Sequence, residues 1–210
     1  MRLEARAPPA RMTAMQLILI RHGLPETIVN EDGTPADPPL CELGKVQAVR
    51  MAEWLRGESI DRIYASPLLR AHQTALPLAE RLRLEIELEE RVVEYDGAAD
   101  WYMPLEDLKR TDYEAWLDFM RRGYPEGMDP TEFHHRVRDC MEEIVAKNPG
   151  RTVAVVCHGG VINAWASHVL GMGYKPFFSP GYTSIHRFIA ARSGERSLES
   201  LNERAHLRGL

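Results

Sequence analysis

Cysteine is scarce: Cys41, Cys140 and Cys157 are the only three in 210 residues. They stand far apart, match no zinc-ligand spacing and are odd in number, which argues against a disulfide framework. Long apolar runs are missing, and none approaches the ~18 residues of a membrane span. Positive charge is in deficit. Lysine and arginine total 26 against 31 aspartates and glutamates, a net charge of −5. Such a chain has no general attraction to nucleic acid or to anionic lipid, so neither is expected as a partner. No internal repeat and no low-complexity block occurs. Collagen-like, coiled-coil, transmembrane and disulfide-rich classes are excluded. What remains is ordinary for a globular protein, with 44% hydrophobic and 27% charged residues. A chain of this length buries roughly 70% of the surface its unfolded form exposes.

The first 14 residues hold Arg2, Arg6 and Arg11 but no apolar stretch, so they do not read as a secretory signal. Pro8-Pro9 would break the helix of an organellar presequence. A disordered leader over 1–14, or a start at Met12 or Met15, is expected, followed by one domain over 15–210. With no targeting signal, the default compartment is the cytoplasm.

Gln16–Ile20 is a continuous apolar run suited to a buried strand of a parallel sheet. Leu43–Arg56 places Leu43, Val46, Met51, Trp54 and Leu55 at near-helical spacing, with Gly57 as a stop. Ile60–Ala65 is a second strand. Leu68–Leu82 reads as a helix in which Pro77 predicts a kink or an early break. Leu84, Ile86 and Leu88 alternate with charged residues, the mark of a half-exposed strand. Leu105–Met120 and Thr131–Lys147 look helical. Thr152–Cys157 is another buried strand, followed by a helix over Val161–Leu170. Ser184–Ala190 and Ser197–Leu201 complete the strands. The alternation predicts an α/β fold, a three-layer sandwich with a mainly parallel sheet flanked by helices. Residues 97–130 break the rhythm. They carry Trp101, Tyr102, Tyr113, Trp116, Phe119 and Tyr124, and read as a helical insertion beside the sheet. These aromatics suit a partly apolar lid or the insertion's own packing.

Ligands of open α/β sheets bind at the carboxyl ends of the strands. Two buried strands end alike, in Arg21-His22-Gly23 and in His158-Gly159-Gly160. Glycine after histidine lets a turn form and a ligand approach the backbone closely. Gly159-Gly160 also opens a helix, whose N-terminus favours anions. A third strand end, Ala65-Ser66-Pro67-Leu68-Leu69-Arg70, brings Ser66 and Arg70. Two arginines, two histidines and a helix N-terminus on one edge describe a pocket for a dianion such as a phosphoryl group.

These stretches resemble the histidine phosphatase superfamily, the phosphoglycerate mutase-like proteins. The resemblance is carried by Leu19-Ile20-Arg21-His22-Gly23; by Asp37-Pro38-Pro39-Leu40 with Leu43-Gly44 and Gln47-Ala48; by Ile63–Leu68 with Arg70-Ala71 and Gln73-Thr74-Ala75; by Glu94; and by Val156-Cys157-His158-Gly159-Gly160. They stand in the family's order from Met15 onward. The resemblance implies that His22 is a nucleophile forming a phosphohistidine. It implies that Arg21, Arg70 and His158, with Gly159, hold the phosphoryl oxygens. Glu94 would be the general acid and then the base for water. No metal and no cofactor is implied, since arginines supply the charge that phosphoryl transfer requires.

Two departures qualify this. The family commonly follows its acid with Gly-x-Trp-Glu-Gly, whereas Gly97-Ala98-Ala99-Asp100-Trp101 stands here, and Asp96 is a rival acid. The family often has Arg-His-Gly-Glu-Thr and then an asparagine, whereas Leu24-Pro25-Glu26-Thr27 stands here, with Thr27 and Asn30 as weaker phosphate contacts. Cys157 reads as a small apolar residue ending a strand. His134-His135 reads as a surface pair without metal partners, and His186 as structural. Only 63 residues separate Glu94 from His158, and the insertion's Lys109, Arg110, Arg121 and Arg122 lack a mutase-like basic pattern. The expected activity is therefore that of a phosphoric monoester hydrolase of the histidine acid type, acting on a small phosphorylated metabolite. A phosphoglycerate-type phosphomutase and a weakly catalytic binding module of the same fold are the alternatives. A homodimer is compatible with the sequence.

Overall fold

A computed structural model describes residues 14–102, 105–122, 129–173 and 176–210. The expected leader up to residue 13 and residues 103–104 and 123–128 of the insertion, Tyr124 among them, lie outside the described residues. The main sheet has six strands in the order β4-β3-β6-β1-β7-β8. They are β1 (Met15–Arg21), β3 (Arg62–Ala65), β4 (Ile86–Leu88), β6 (Thr152–Cys157), β7 (Ile185–Ala190) and β8 (Arg196–Glu203). The pairs β1–β6, β3–β6 and β3–β4 are parallel, whereas β7 and β8 close one edge antiparallel. The architecture is therefore the expected α/β sandwich with a mostly parallel sheet.

Because successive strand side chains point to opposite faces, the apolar strands serve two cores at once. Leu17 and Leu19 of β1 and Val153, Val155 and Cys157 of β6 pack under α5 (Pro130–Lys147) and α6 (Gly159–Val169). Ile18 and Ile20, with Ala154 and Val156, pack under α1 (Glu42–Leu55) and α2 (Leu69–Leu82). β6 pairs with β1 residue for residue, Ile20 opposite Val156 and Arg21 opposite Cys157. That register brings the ends of the two strands, and the histidines that follow them, level with each other.

α2 and α1 each differ from expectation. α2 runs unbroken through Pro77 to Leu82. Proline inside a helix costs about 3 kcal/mol, but Ala71, Ala75, Leu78 and Ala79 are buried on the sheet and hold the helix across it. In α1 the buried face is Gly44, Gln47, Ala48, Met51, Ala52 and Leu55, while Leu43, Val46 and Trp54 are exposed. The cause is close approach. A Cβ on Gly44 would run into the Leu24 carbonyl oxygen, so the small-residue face must turn inward. The stretch read as an insertion begins with β5 (Trp101–Tyr102), which pairs with β2 (Ile28–Val29) in a separate two-stranded ribbon. The helix expected over Leu105–Met120 is instead two, α3 (Leu105–Thr111) and α4 (Tyr113–Arg122), separated at Asp112.

Candidate active site

The carboxyl ends of β1, β6 and β3 converge, and the residues after them form one buried cluster. His22 is buried, and its backbone N–H donates to Cys157 O at 2.9 Å. Its Nδ1 lies 2.8 Å from Gly23 O. A carbonyl can only accept, so Nδ1 carries the proton and Nε2 keeps its lone pair. The loop behind it is held tightly. Gly23 N donates to Thr74 Oγ1 at 2.8 Å, Thr74 Oγ1 donates to Arg70 O at 2.6 Å, and Leu24 N donates to Gln47 Oε1 at 2.9 Å. A Cβ on Gly23 would stand 2.7 Å from Gly44 O. Gln47, Gly44 and Thr74 thus serve the nucleophile loop from α1 and α2.

His158 faces His22 with ring centroids 5.1 Å apart. Its Nε2 lies 2.9 Å from Ser66 Oγ, and its buried Nδ1 has no hydrogen-bond partner. Arg70, 1% exposed, extends Nη2 to Asp96 Oδ1 at 3.3 Å and stacks over Tyr102 at 4.5 Å, while its Nε and Nη1 are buried and unpartnered. Arg21 donates from Nη1 to Pro180 O at 2.5 Å and lies 4.0 Å over the Tyr182 ring. A buried, unpaired guanidinium N–H costs too much to be idle, and marks a place for an anion.

Glu94 reaches the cluster from the turn after β4. Oε2 accepts the Gly160 N–H at 2.7 Å and Oε1 accepts the Tyr95 N–H at 3.1 Å. The N-terminus of α6, expected to meet the phosphoryl group, thus spends its Gly160 N–H on a carboxyl group. Gly159 itself sits beside Arg21, its Cβ position 3.8 Å from Nε. Burial, and then the Asp96 charge, push Glu94 up to about 7 against the pull of those two N–H groups and Arg70. Burial, and then Arg21 and Arg70, hold His22 well below the usual imidazole range. Burial followed by Arg70, His22 and Arg21 does the same to His158. Both imidazoles are neutral at pH 7 and the acid is poised near it.

His22, Arg21, Arg70, Glu94 and His158 are therefore brought together, with Gly159 at their edge. Asn30 is not among them: its Nδ2 donates to Thr34 O and Pro35 O within its own loop. Thr27 is exposed. Burial raises Cys157 far above the usual thiol range, so it is no nucleophile. His134, read as half of a surface pair, is buried beside Phe133. His186 is buried against Ser184. Tyr182 and Tyr102 enter the site without having been singled out for it. Tyr102 lies edge-on to His22 at 6.4 Å, and Tyr182 is 5.8 Å from it. Tyr102 belonged to the aromatic set of the insertion, which was the available signal. Tyr113 and Trp116 of that set stack on each other instead. Thr183 was also missed. Its φ of +51° is rare for a β-branched residue, and its N–H donates to His22 O at 3.2 Å. Strain of this kind collects where surrounding structure enforces a functional geometry.

The model of the histidine phosphatase superfamily (branch 1) matches residues 17–204. The chain belongs to this superfamily. Phosphoserine phosphatase 1 of Hydrogenobacter thermophilus is 32% identical over 182 residues, covering 82% of this chain and 86% of the relative. Among solved structures, phosphoserine phosphatase from Entamoeba histolytica in complex with 3-phosphoglyceric acid superposes with a TM-score of 0.73. It is 29% identical and covers 92% of this chain and 99% of its own. A mycobacterial glucosyl-3-phosphoglycerate phosphatase superposes with a TM-score of 0.72 at 25% identity, covering 91% of this chain and 100% of its own. The histidine phosphatase fold described here is thus shared along nearly the whole chain. Among the described residues no helix is long and apolar enough to cross a membrane.

Proposed function

We propose that the protein hydrolyses a phosphomonoester of a small metabolite through a phosphohistidine on His22, without a metal. The observation that carries this is the imidazole of His22 held by Gly23 O, with Nε2 left as a lone pair beside the unpartnered nitrogens of Arg70 and His158. Its phosphatase relatives and structural neighbours support the same reading.

The steps follow from the geometry. The phosphoryl oxygens lie against Arg21, Arg70 and His158, which supply charge and directed N–H groups before reaction begins. His22 Nε2 attacks phosphorus, and the bond to the leaving oxygen breaks. That oxygen takes the proton of Glu94. The Glu94 carboxylate then takes a proton from water, the water oxygen attacks phosphorus, and the P–N bond breaks to release phosphate and restore neutral His22. A neutral histidine and a protonated Glu94 coexist from mildly acidic pH to about 7, so this cycle starts in the right protonation state there.

The test is turnover of an aryl phosphate with and without chelator, joined to capture of labelled phosphate. Chelator-resistant turnover and an acid-labile, alkali-stable phosphoprotein, both abolished in His22→Ala, are expected. Turnover that survives in His22→Ala, or that fails with chelator, would overturn the reading.

A further inference from the structure

Asp96 is a charged group of the site that takes no proton and touches no bond in the hydrolytic cycle. Its Oδ1 meets Arg70 Nη2 at 3.3 Å. Its side chain keeps 28% of its exposure while that of Arg70 keeps 1%. The other members of the cluster, Arg21, His22, Glu94 and His158, are all buried. Asp96 therefore stands at the open side of the pocket, where a leaving group must project. It is two residues from Glu94, which hands that leaving group its proton. Its charge is also felt by Glu94 and Tyr102.

The difficulty this creates is electrostatic. A phosphoryl dianion needs Arg21 and Arg70, yet Asp96 already takes one N–H of Arg70. Binding the dianion places two anions on one guanidinium, a contact that disfavours any substrate adding a third negative charge nearby. Arg136 cannot relieve it, because it spends Nη1 on Arg91 O and Nη2 on Val93 O. Tyr102 and Tyr182 bring no positive charge. A cation carried by the substrate would relieve it.

Building on the hydrolase reading, we propose that Asp96 determines leaving-group specificity, selecting phosphomonoesters whose alcohol carries an ammonium group near the ester oxygen. The carboxylate of Asp96 meets that ammonium while Arg70 turns to the phosphoryl oxygens. Esters with a carboxylate at the same position are rejected.

Three two-carbon esters isolate the charge: O-phosphoethanolamine, ethyl phosphate and 2-phosphoglycolate. In the wild-type protein kcat/KM is expected to fall in that order. In Asp96→Asn the ratio of the first to the last should collapse by about tenfold or more, the scale on which one unpaired buried charge discriminates. Asp96→Ser should do the same, which guards against an effect peculiar to one replacement. A ratio unchanged by either variant, or a wild-type preference for 2-phosphoglycolate, would overturn the proposal. The protection each ester gives against thermal unfolding reads the same order without turnover. Absent turnover of every ester with the order of protection intact would refute the hydrolase reading alone. Turnover with a flat order of charge would refute the role of Asp96 alone.

Discussion

Ser66 Oγ lies 2.9 Å from Nε2 of His158, and the same oxygen accepts the Leu68 N–H at 3.4 Å. A hydroxyl can accept twice, so the Leu68 N–H does not fix where its own proton points; in the tautomer that a phosphoryl oxygen requires, that proton goes to Nε2. His158 then carries its proton on Nδ1, the nitrogen left without a partner in the pocket. A serine at the turn into α2 thereby makes a neutral imidazole into a donor toward a phosphoryl oxygen. Ser66→Ala leaves His158 free to adopt either tautomer. Losing one buried hydrogen bond is worth about 1–3 kcal/mol, so kcat/KM for an aryl phosphate should fall roughly tenfold or more. Steady-state kinetics with a far-ultraviolet spectrum to check folding decides it. An unchanged kcat/KM would show that Ser66 does not orient His158.

Glu94 supplies a sharper test because its contribution depends on the leaving group. An alkoxide needs a proton as the bond breaks, whereas a nitrophenolate hardly does. Glu94→Gln should cost ~10²–10⁴-fold on an alkyl phosphate and much less on p-nitrophenyl phosphate. The sign of the pH effect follows from burial, which raises the carboxyl to about 7. The acid form is present below that value and lost above it. Wild-type formation of the phosphoenzyme from an alkyl phosphate should decline above about pH 7, and the Gln variant should lose this limb. Rapid-quench measurement between pH 5 and 9 reads both. If Asp96→Asn and not Glu94→Gln removed the limb, Asp96 would be the acid.

Gly160 explains why that carboxyl group sits where it does. Its N–H holds Glu94, and a Cβ there would collide with Glu94 Oε1 and approach the Tyr95 ring to 2.8 Å. Gly160→Ala should therefore displace the acid. Overpacking typically costs 1–3 kcal/mol, so urea unfolding should show a loss of about that size. Turnover of alkyl phosphates should drop toward the level of Glu94→Gln. A stable variant with full activity would show that the acid does not depend on this contact.

The strand ends were the readable part of this molecule. Short apolar runs ending in Arg21-His22-Gly23 and His158-Gly159-Gly160 announce both the buried parallel strands and what they present, because a strand buried on both faces leaves only its end for polar work. The legible strands, the six of the main sheet, are those set by local pattern, whereas β2 and β5 were not foreseen. The unreadable parts were set by contacts remote in sequence. α1 turns Gly44 inward, not Leu43 and Val46, since only Gly44 can lie against Leu24. Pro77 is overridden by burial of its neighbours. The Arg70–Asp96 pair joins residues from different elements, and Thr183 takes a left-handed conformation that no composition rule assigns to a β-branched residue. Tyr102 was visible as one of several aromatics. Which of them faces His22 is fixed by the pairing of β5 with β2, where Trp101 turns outward.

His186 ties the site to stability. It is buried on β7, its Nδ1 accepts the Asn202 N–H at 3.2 Å, and its Nε2 therefore carries the proton and donates to Ser184 Oγ at 2.8 Å. Every polar atom of the ring is used in the neutral form. Burial, and then Arg21, push its pKa down to about 3. Between that value and the unfolded ~6.5 the unfolded chain binds a proton that the folded chain refuses. Stability contributed by the neutral ring is thus complete above about pH 6.5 and is lost as pH falls toward the folded value. Over the 1.5 units from 6.5 to 5 the loss is about 2 kcal/mol, a large share of the 5–15 kcal/mol that holds a typical domain. Urea unfolding at pH 7 and pH 5 reads a sum in which His22 and His158 add in the same direction and the raised Glu94 carboxyl opposes them, so the His186 share is read as the difference between wild type and His186→Gln. His186→Gln should be less stable at pH 7 and should lose less between the two pH values. An equal pH dependence in both proteins would mean that the ring takes up its proton without cost, and that its two hydrogen bonds do not fix the neutral form.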